Sequence, residues 1–440
     1  MPEAGRLIRQ IAMGPTLYRG RLKALREEQP RYARVATPEE IHAVQLARLN
    51  SVWTRCVERV PFYRRWVSEH SLPPRFRELS DLREFPKLTK ETLQEHADEV
   101  FEHGRIKSSV LTGGSTGAPV RYPWSTADAC SAFANMYTGR AWWGIRPFDA
   151  QVAFWGHSHA FGTDRRRHLR AAKRRIGYLA SNTAALSAYD LGLEAMSRQY
   201  RRLQRLRPAY LYGYTSALFR LAKYIESVPL PVPFGSPLKG VIMTSETVTA
   251  GDMALIERVF GAPAIVEYGA AEIGPVAYSS PGADGLRVFW NSFIVQADGD
   301  GNAVITTIGN RLFPLINYDI GDAVDAGSET LLELRGITGR TADVVRIGTR
   351  AGGVREVIGR VVVHVLKSHP DVLAIQIRQT GPRAIDVLLA AHVPIDVPAA
   401  RARLLDQMTG EYPDLSPECI RVRHVREPTL TVAGKTQLLV

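Results

Sequence analysis

The spacing of apolar residues predicts a helix near the start of the chain. Thr37-Pro38-Glu39-Glu40 is typical of a helix N-terminus, because threonine can cap, proline suits the first turn and Glu40 completes a capping box. A single apolar face follows at helical spacing, formed by Leu49, Val52, Trp53 and Cys56. Residues 1–36, which precede this helix, are basic and are predicted to be irregular.

Short apolar runs and helical segments alternate from residue 208 onwards. Strands are predicted over 209–212, 238–243 and 264–267, with helices over 216–227 and 249–260. This repetition is typical of a parallel sheet covered by helices. Because ligands bind at the carboxyl ends of such strands, we expect the polar residues that follow them to line one crevice.

The pattern changes to strands from residue 303, and 336–340 is predicted to be a hinge. The predicted strands are 303–307, 315–318 and 330–334, and beyond the hinge come helices 361–368 and 398–409 with strands 373–378, 385–391 and 420–425. The sequence therefore predicts an α/β fold with a large N-terminal domain, 1–338, of mostly parallel sheets covered by helices. A small mobile α+β domain, 339–440, is predicted to follow it.

Composition limits the classes of function. The chain has 440 residues, a net charge of +12 and three cysteines far apart, so no disulfide framework is expected. We expect neither a membrane span nor a signal peptide, and we expect a cytoplasmic location. The basic charge favours anionic partners such as a nucleotide, coenzyme A or an acidic carrier protein.

The densest basic run, 165–175, is interpreted as a solvated helix face, with a phosphate-contacting patch as the alternative. Nucleic acid is not expected as a partner, because no nucleic-acid motif accompanies the run.

A loop rich in glycine and hydroxyl side chains spans 109–119. It holds three glycines, two threonines and two serines, and its backbone N–H groups could form a concave anion site. The loop is interpreted as a phosphate cradle, with a flexible surface turn as the alternative. Its candidate nucleotide-binding residues are Thr112, Gly113, Gly114, Ser115, Thr116 and Gly117.

Four charged residues are candidates for chemistry. Glu272 could bind Mg²⁺, which prefers oxygen ligands, or could be a helix cap or surface acid. Asp322 could hold ribose hydroxyls or be a turn aspartate. Arg340 at the hinge suits a phosphate or carboxylate, with an interdomain salt bridge as the alternative. Lys435 could reach a crevice as a point charge or could simply be solvated.

The motifs, in this order, resemble the adenylate-forming (ANL) superfamily of acyl-CoA synthetases. Within it they are most similar to the phenylacetate–CoA ligase branch and the capsular-polysaccharide-type adenylating enzymes. The resemblance rests on 57–63 (Val-Glu-Arg-Val-Pro-Phe-Tyr), 112–119, 268–275 (Tyr-Gly-Ala-Ala-Glu-Ile-Gly-Pro), 318–322 (Tyr-Asp-Ile-Gly-Asp), 339–343 (Gly-Arg-Thr-Ala-Asp) and 434–435 (Gly-Lys).

The resemblance implies a role for each candidate. The loop 112–117 would hold the β- and γ-phosphates of ATP, and Glu272 would bind Mg²⁺. Asp322 would take the ribose hydroxyls, with Arg340 nearby, and Lys435 would reach the carboxylate and α-phosphate. Three residues would flank the adenine: Ser245, Glu246 and Tyr268. The acid pocket is expected among Phe154, Trp155, His157, Tyr212, Gly213 and Gly269.

These roles imply an ATP- and Mg²⁺-dependent ligase that makes an acyl-adenylate and pyrophosphate from a small carboxylic acid, aromatic or hydrophobic. CoA is the expected acceptor, with an amine or a carrier-protein thiol as alternatives. Ala118 and Ala342 depart from the residues common in relatives and leave open a non-catalytic nucleotide-binding protein. A homodimer is also left open.

Overall fold

The computed structural model describes most of the chain. The described residues are 18–34, 36–101, 109–111, 121–155, 176–188, 193–228, 237–324, 331–340, 344–358, 362, 366, 372–430, 436 and 438–440. Among them, no helix combines the length and apolar character that crossing a membrane requires.

The helices and strands are labelled in chain order. The α-helices are α1 (Arg19–Ala33), α2 (Pro38–Arg59), α3 (Pro61–His70), α4 (Lys90–Glu95), α5 (Ala97–Phe101), α6 (Thr126–Trp142), α7 (Leu193–Leu206), α8 (Thr215–Ser227), α9 (Ala250–Phe260) and α10 (Val397–Glu411). The strands are β1 (Ser109–Leu111), β2 (Arg121–Pro123), β3 (Gln151–Trp155), β4 (Thr183–Ser187), β5 (Tyr210–Tyr214), β6 (Val241–Thr244), β7 (Ala264–Ala270), β8 (Gly274–Ser279), β9 (Leu286–Val288), β10 (Phe293–Ala297), β11 (Asn302–Thr307), β12 (Tyr318–Val324), β13 (Glu333–Leu334), β14 (Ile337–Arg340), β15 (Val344–Gly348), β16 (Val354–Ile358), β17 (Ala374–Gly381), β18 (Ala384–Ala390) and β19 (Ile420–Val425). Short 3₁₀ helices cover Leu79–Arg83 and Pro417–Cys419.

The predicted N-terminal helix is confirmed as α2. The Thr37 hydroxyl accepts from the Glu40 N–H, and the Glu40 carboxylate accepts from the Thr37 N–H, both at 3.3 Å. All four residues of the predicted apolar face are buried. The prediction of irregular structure before residue 37 is wrong for α1, which packs against α6. This helix buries only Leu25 and Tyr32 and contains Pro30, so its periodicity in the sequence is weak.

The chain divides into two compact units. The first unit contains Phe148–Ile265 and Gly339–Val440, and the second contains Ile8–Pro147 and Val266–Thr338. One boundary falls between Pro147 and Phe148, before β3, and two others fall within β7 and β14. One of them, between Thr338 and Gly339, is where the predicted C-terminal domain begins. The predicted division into 1–338 and 339–440 stays a prediction.

The parallel sheet lies in the first unit. Its strands run in the order β4, β3, β5 and β6, and each is parallel to its neighbour. Helices α7, α8 and α9 supply much of the buried core that packs with these strands, including Leu203, Leu218 and Ile256. The predicted α/β class, with a large sheet of mostly parallel strands and covering helices, is confirmed.

Antiparallel strands characterise the second unit. After the boundary within β7, the strands β7, β8, β9 and β13 pair antiparallel in that order. A second sheet contains β10, β11 and β12, also antiparallel. The predicted strand 315–318 is wrong in position, because β12 begins only at Tyr318. The apolar residues Leu315 and Ile316 are fully buried but precede the strand.

Residues 345–439 have a hydrophobic core of their own within the first unit. The three-stranded sheet β17-β18-β19 and helix α10 contribute Ile377, Val387, Leu404 and Val422 to it. Strands β15 and β16 add Val345 and Val357. The predicted strands and the second helix of this region are therefore confirmed, with ends shifted by a few residues.

Candidate functional site

Glu272 lies in the turn that joins β7 to β8. The sequence predicts that the strand ends at Glu267, but β7 continues to Ala270 and includes Tyr268 and Gly269. Glycine is required at 269, since an added Cβ would lie 2.2 Å from the Gly274 carbonyl oxygen. The hairpin therefore needs a residue without a side chain beside its turn.

The Glu272 carboxylate is buried and held on one side. Its residue is 3% exposed, and the Tyr318 hydroxyl at the start of β12 donates a hydrogen bond to Oε1 at 2.9 Å. The other oxygen, Oε2, accepts no hydrogen bond from the residues that the structure describes. Burial, and then the Glu272 carboxylate, raise the pKa of Tyr318, so the phenol stays protonated as a donor.

Arg311 fixes the backbone of the same turn. Its guanidinium donates to the Glu272 carbonyl oxygen at 3.0 Å and also to the Ile273 carbonyl oxygen. The side chain is 2% exposed and lies 3.9 Å from Oδ1 of Asp128, which is fully buried. Sequence reasoning missed Arg311 and Asp128, because neither belongs to a motif and their partners are distant in the chain.

A second hydrogen bond joins the same hairpin to β12. The Tyr268 hydroxyl donates to Oδ2 of Asp322 at 3.0 Å, across 54 positions of the sequence. The prediction that Asp322 follows a strand is wrong, because it lies inside β12. It comes directly after Gly321, whose φ of 78° is in the region that favours glycine. Tyr268, Glu272 and Asp322, predicted from two motifs, are therefore brought to one hairpin and one strand.

The residues of the β7–β8 turn and β12 fit a magnesium ion whose other ligands would be the phosphates of a nucleotide. Glu272 offers one carboxylate oxygen that accepts no hydrogen bond from the described residues, and its other oxygen is oriented by Tyr318. Within the described part of the chain, no group of three or more His, Cys, Asp or Glu side chains could hold a metal. This donor set suits Mg²⁺, which commonly binds through one or two carboxylates plus phosphates and water.

Aromatic side chains extend from the parallel strands of the first unit. Trp155 stacks on Tyr212 with ring centroids 5.4 Å apart, and it also lies 4.5 Å from the Tyr214 ring. Trp155 and Tyr212 are half-buried, whereas Phe154 is fully buried in the hydrophobic core. Gly213 allows β3 and β5 to approach, since an added Cβ would lie 2.6 Å from the Phe154 carbonyl oxygen.

The Ser245–Glu246 turn follows β6 in the first unit. Ser245 has a φ of 65°, and Glu246 reaches the first turn of α8. Its Oε2 accepts from the Ser216 N–H at 2.7 Å, and its Oε1 accepts from the Ser216 hydroxyl at 2.9 Å. Oε1 also accepts from the Thr436 N–H at 3.2 Å. Glu246 therefore caps α8 and contacts the residue after Lys435.

The remaining predicted site residues lie wholly or partly outside the described residues. These are Lys435, His157 and the loop residues Thr112, Gly113, Gly114, Ser115, Thr116 and Gly117, together with the basic run 165–175. For Arg340 the structure describes only the backbone, as the last residue of β14.

Two curated proteins and a set of solved structures are similar to this chain, although no family model matches it. Protein CapK from Staphylococcus aureus is 21% identical over 294 residues, which cover 66% of this chain and 64% of CapK. The chain thus spans slightly less than two thirds of that relative. Phenylacetate-coenzyme A ligase from Escherichia coli (strain K12) is 25% identical over 338 residues, or 71% of this chain and 74% of the ligase.

The fold is similar to that of a solved CoA ligase. A structure of 2-hydroxyisobutyryl-CoA ligase, in the postadenylation state with 2-HIB-AMP, matches with a TM-score of 0.68 and 19% identity. The match covers 92% of this chain and 90% of that one. The sequence matches and the fold together confirm the resemblance to the adenylate-forming superfamily and its phenylacetate–CoA ligase-like branch.

Proposed function

For a chain that resembles the adenylate-forming ligases in sequence and in fold, we propose ATP-dependent activation of a carboxylic acid. One oxygen of the acid bonds to the α-phosphorus of ATP while the bond to the pyrophosphate group breaks. The acyl-adenylate then reacts with a thiol that has lost its proton, a thioester forms, and AMP leaves. The protein's task in both steps is to position the reactants and to neutralise developing charge.

The arrangement of the β7–β8 hairpin and strand β12 supports this proposal. Two hydrogen bonds, Tyr268 to Asp322 and Tyr318 to Glu272, bring together the acids proposed for the ribose and for the metal. Magnesium, when bound through Glu272, would neutralise charge on the phosphate oxygens. In this proposal, the Glu272 carboxylate would bind the cation and the Asp322 carboxylate would accept hydrogen bonds from the ribose hydroxyls of the same nucleotide.

The remaining roles follow from the motifs. Thr112–Gly117 would hold the β- and γ-phosphates, and Arg340 would lie near the ribose. Tyr268 and the Ser245–Glu246 turn would flank the adenine, and Lys435 would reach the carboxylate and α-phosphate. We assign the binding of phosphates and of the reacting carboxylate to these residues as part of the same proposal.

A small hydrophobic or aromatic acid is the proposed substrate class. Trp155 and Tyr212 are half-buried and stacked on each other, which provides an apolar, flat surface at the end of β3 and within β5. Gly213, the next residue of β5, lies against the backbone of β3, where no side chain would fit. Together with His157, Gly269 and Phe154, which is fully buried in the core, these residues define the proposed acid pocket.

Coenzyme A is the proposed acceptor. The relatives named CoA ligases favour it, and the basic net charge of +12 suits its phosphates. An amine or a carrier-protein thiol remains the alternative, with the same first step. A cytoplasmic location, where ATP and CoA are available, belongs to the same proposal, as does a mobile C-terminal domain that includes Lys435.

Acid-dependent exchange of pyrophosphate into ATP tests the first step. We would use a panel of aromatic, fatty, hydroxy and amino acids, with Lys435→Ala as the matched control. We expect exchange with a narrow set of acids and little exchange in the variant. If Lys435→Ala exchanges pyrophosphate as fast as the wild type, the proposed role of the lysine is wrong. If no acid supports exchange although ATP binds, the result would favour a non-catalytic nucleotide-binding protein.

A discharge assay tests the acceptor. Preformed acyl-adenylate on the enzyme is mixed with CoA or with a panel of amines, and AMP release is followed. Release with CoA alone supports the thioester. An adenylate that CoA fails to discharge, and an amine consumes, would overturn CoA as the acceptor while leaving adenylation intact.

A further inference from the structure

Arg311 holds the backbone of the turn that carries Glu272. Its Nη1 donates to the Glu272 carbonyl oxygen at 3.0 Å, and its Nη2 donates to the carbonyl oxygen of the next residue, Ile273. The following residue, Gly274, has a φ of 75°, a conformation that residues other than glycine rarely adopt. The peptide planes after Glu272 are therefore fixed by one guanidinium and by one glycine.

The guanidinium of Arg311 is itself held by a carboxylate. Asp128, in the first turn of α6, is fully buried, and its Oδ1 lies 3.9 Å from Nη1 of Arg311. The other oxygen, Oδ2, accepts from the N–H and the hydroxyl of Ser125, the N-cap residue of α6. Oδ1 has no hydrogen-bond partner in the described part of the chain, so Arg311 is the cation that compensates its charge.

The same charges act on a buried phenol beside them. Burial raises the pKa of Tyr122, and Arg311 opposes that rise. The carboxylates of Asp128 and Glu272 add to the rise. One side chain, 1% exposed, therefore lies within electrostatic reach of all three charged groups. Charges that are shielded from water interact strongly, so a change at Arg311 is felt at both carboxylates.

The Glu272 side chain is thus held at its carboxylate and at its backbone. Tyr318 donates to Oε1, and Arg311 fixes the backbone from which the side chain extends. Oε2 accepts no hydrogen bond from the described residues. With the backbone and one oxygen fixed, the direction of Oε2 is set before a cation binds.

We propose that Arg311 is a positioning residue for the cation-binding carboxylate of Glu272. It acts through the two carbonyl oxygens of the turn, without contacting the cation or the nucleotide. Asp128 completes the arrangement by neutralising the guanidinium, so that a buried positive charge does not repel the cation beside Glu272. This role rests on the proposed binding of Mg²⁺ through Glu272 and assigns to it two residues that belong to none of the motifs.

The affinity for a metal–nucleotide complex measures this role without any turnover. Mn²⁺, which accepts the same oxygen ligands as Mg²⁺, is supplied with ATP but no acid, and binding is followed by the relaxation rate of water protons. Arg311→Lys keeps the charge beside Asp128 but lacks the planar fork that reaches two carbonyl oxygens. It should therefore weaken Mn²⁺–ATP binding about tenfold. With EDTA and no metal, its calorimetric affinity for ATP should stay within about twofold of wild type.

A double-mutant cycle tests whether Arg311 acts through Glu272. In a Glu272→Gln background, Arg311→Lys should change the Mn²⁺–ATP affinity by less than about twofold, because the carboxylate that it positions is already lost. Arg140→Lys is the matched control, since Arg140 is also buried, at 1% exposure, but donates to Tyr278 and not to the turn. We expect Arg140→Lys to leave this affinity within about twofold of wild type.

Amide hydrogen exchange of the turn provides a readout that needs no ligand. The Ile273 N–H donates to the Ala270 carbonyl oxygen at 3.2 Å, and its exchange reports opening of the turn. In Arg311→Lys this amide should exchange about tenfold faster than in the wild type and in Arg140→Lys, because the carbonyl oxygens of the turn are no longer both held.

The outcomes separate this inference from the proposed function. Unchanged Ile273 exchange or Mn²⁺–ATP affinity in Arg311→Lys, an equal loss of affinity in Arg140→Lys, or additive losses in the cycle would overturn the positioning role alone. If the wild type binds ATP equally well with Mn²⁺ and with EDTA, the metal role of Glu272 is wrong, and the positioning role fails with it.

Discussion

Tyr318 donates a hydrogen bond to Glu272 at 2.9 Å, and both residues are buried, at 0% and 3% exposure. A buried carboxylate needs such donors, because an unpaired charge away from water is costly. The contact leaves the second carboxylate oxygen without a hydrogen bond from the described residues, and so it orients the group that we propose for the metal.

Tyr318→Phe should impair adenylation without unfolding the protein. Loss of the hydroxyl frees the Glu272 carboxylate to rotate, so we expect adenylation to slow about tenfold and to need more Mg²⁺. Because the aromatic ring is retained, the free energy of unfolding should fall by only about 1–2 kcal/mol. The measurement is pyrophosphate exchange as a function of Mg²⁺ concentration, alongside urea unfolding.

Tyr278→Phe is the control for Tyr318→Phe. Tyr278 is likewise fully buried and donates to a glutamate, Glu267, in the same unit. Glu267 has no proposed role in binding, so this variant should lose stability without a change in Mg²⁺ dependence. The same Mg²⁺ shift in both variants would contradict the metal role of Glu272.

Asp322→Asn should weaken ATP binding. The variant keeps the shape of the side chain but loses the charge that we propose for the ribose hydroxyls, and we expect about a tenfold rise in the dissociation constant. Tyr268→Phe removes the hydrogen bond to Asp322 but not the carboxylate, so its effect should be smaller, about threefold. Calorimetric titration with ATP measures the dissociation constant of each variant. A larger rise in Tyr268→Phe than in Asp322→Asn would contradict the ribose-binding role of Asp322.

Arg311→Met should destabilise the second unit. The side chain is 2% exposed, donates to two carbonyl oxygens of the Glu272 turn, and lies beside the fully buried Asp128. Removing one partner of such a buried pair costs about 3–5 kcal/mol. Urea unfolding measures this loss. The double variant with Asp128→Asn should be less destabilised than the single one, because it leaves no unpaired buried charge and retains an acceptor for the Ser125 N–H at the start of α6. An additive loss would contradict this explanation.

The ion pair of Lys87 with Asp298 should add a pH-dependent contribution to stability. The two side chains lie 2.6 Å apart, and Asp298 also accepts hydrogen bonds from the turn between β10 and β11. Burial opposes ionisation of Asp298, but Lys87 and these turn donors keep its pKa below the ordinary 3.8. The hydrogen bond with Asp298 raises the pKa of Lys87 above 10.5.

The sign of each shift defines the pH window. A lowered aspartate pKa stabilises the fold above about pH 4, and this contribution is lost as the pH falls through the folded pKa. A raised lysine pKa stabilises the fold below about pH 10.5, and this contribution is lost above it. Lys87→Met should therefore cost up to about 1 kcal/mol at pH 7, since Lys87 is 44% exposed, and less at pH 3. A cost that is independent of pH between 3 and 7 would contradict the pair.

Local signals in the sequence are sufficient to predict those elements whose structure depends on residues close in the chain. The capping box of Thr37 and Glu40 and the buried face of α2 are set by residues within a few turns, and both are confirmed. The sequence predicts strand β12 too early, because Leu315 and Ile316 are buried but lie outside the strand, whereas the strand itself contains Gly321 and Asp322. Burial and strand pairing give the same apolar signal in a short segment.

The contacts of the candidate site could not be predicted from spacing. The motifs identified Tyr268, Glu272 and Asp322, but the pairings with partners 46 and 54 positions away arise only when the hairpin meets β12. Arg311 gave no signal at all, because an isolated arginine is usually exposed. Its role became visible only through its burial and its two carbonyl partners.

The segment 339–440 should fold without the rest of the chain. Among the described residues, its core contains only residues from 345 to 439. Its three-stranded sheet lies within 374–425, and the chain end pairs with β17. Expressed alone, the segment should unfold cooperatively in urea and show dispersed amide resonances, as expected of a small domain with its own core. Leu404→Ala in the same segment should lower the free energy of unfolding by about 2–5 kcal/mol, because Leu404 is fully buried in that core. A segment that is unfolded alone, with or without the substitution, would show that its core depends on the rest of the chain and would contradict the predicted domain.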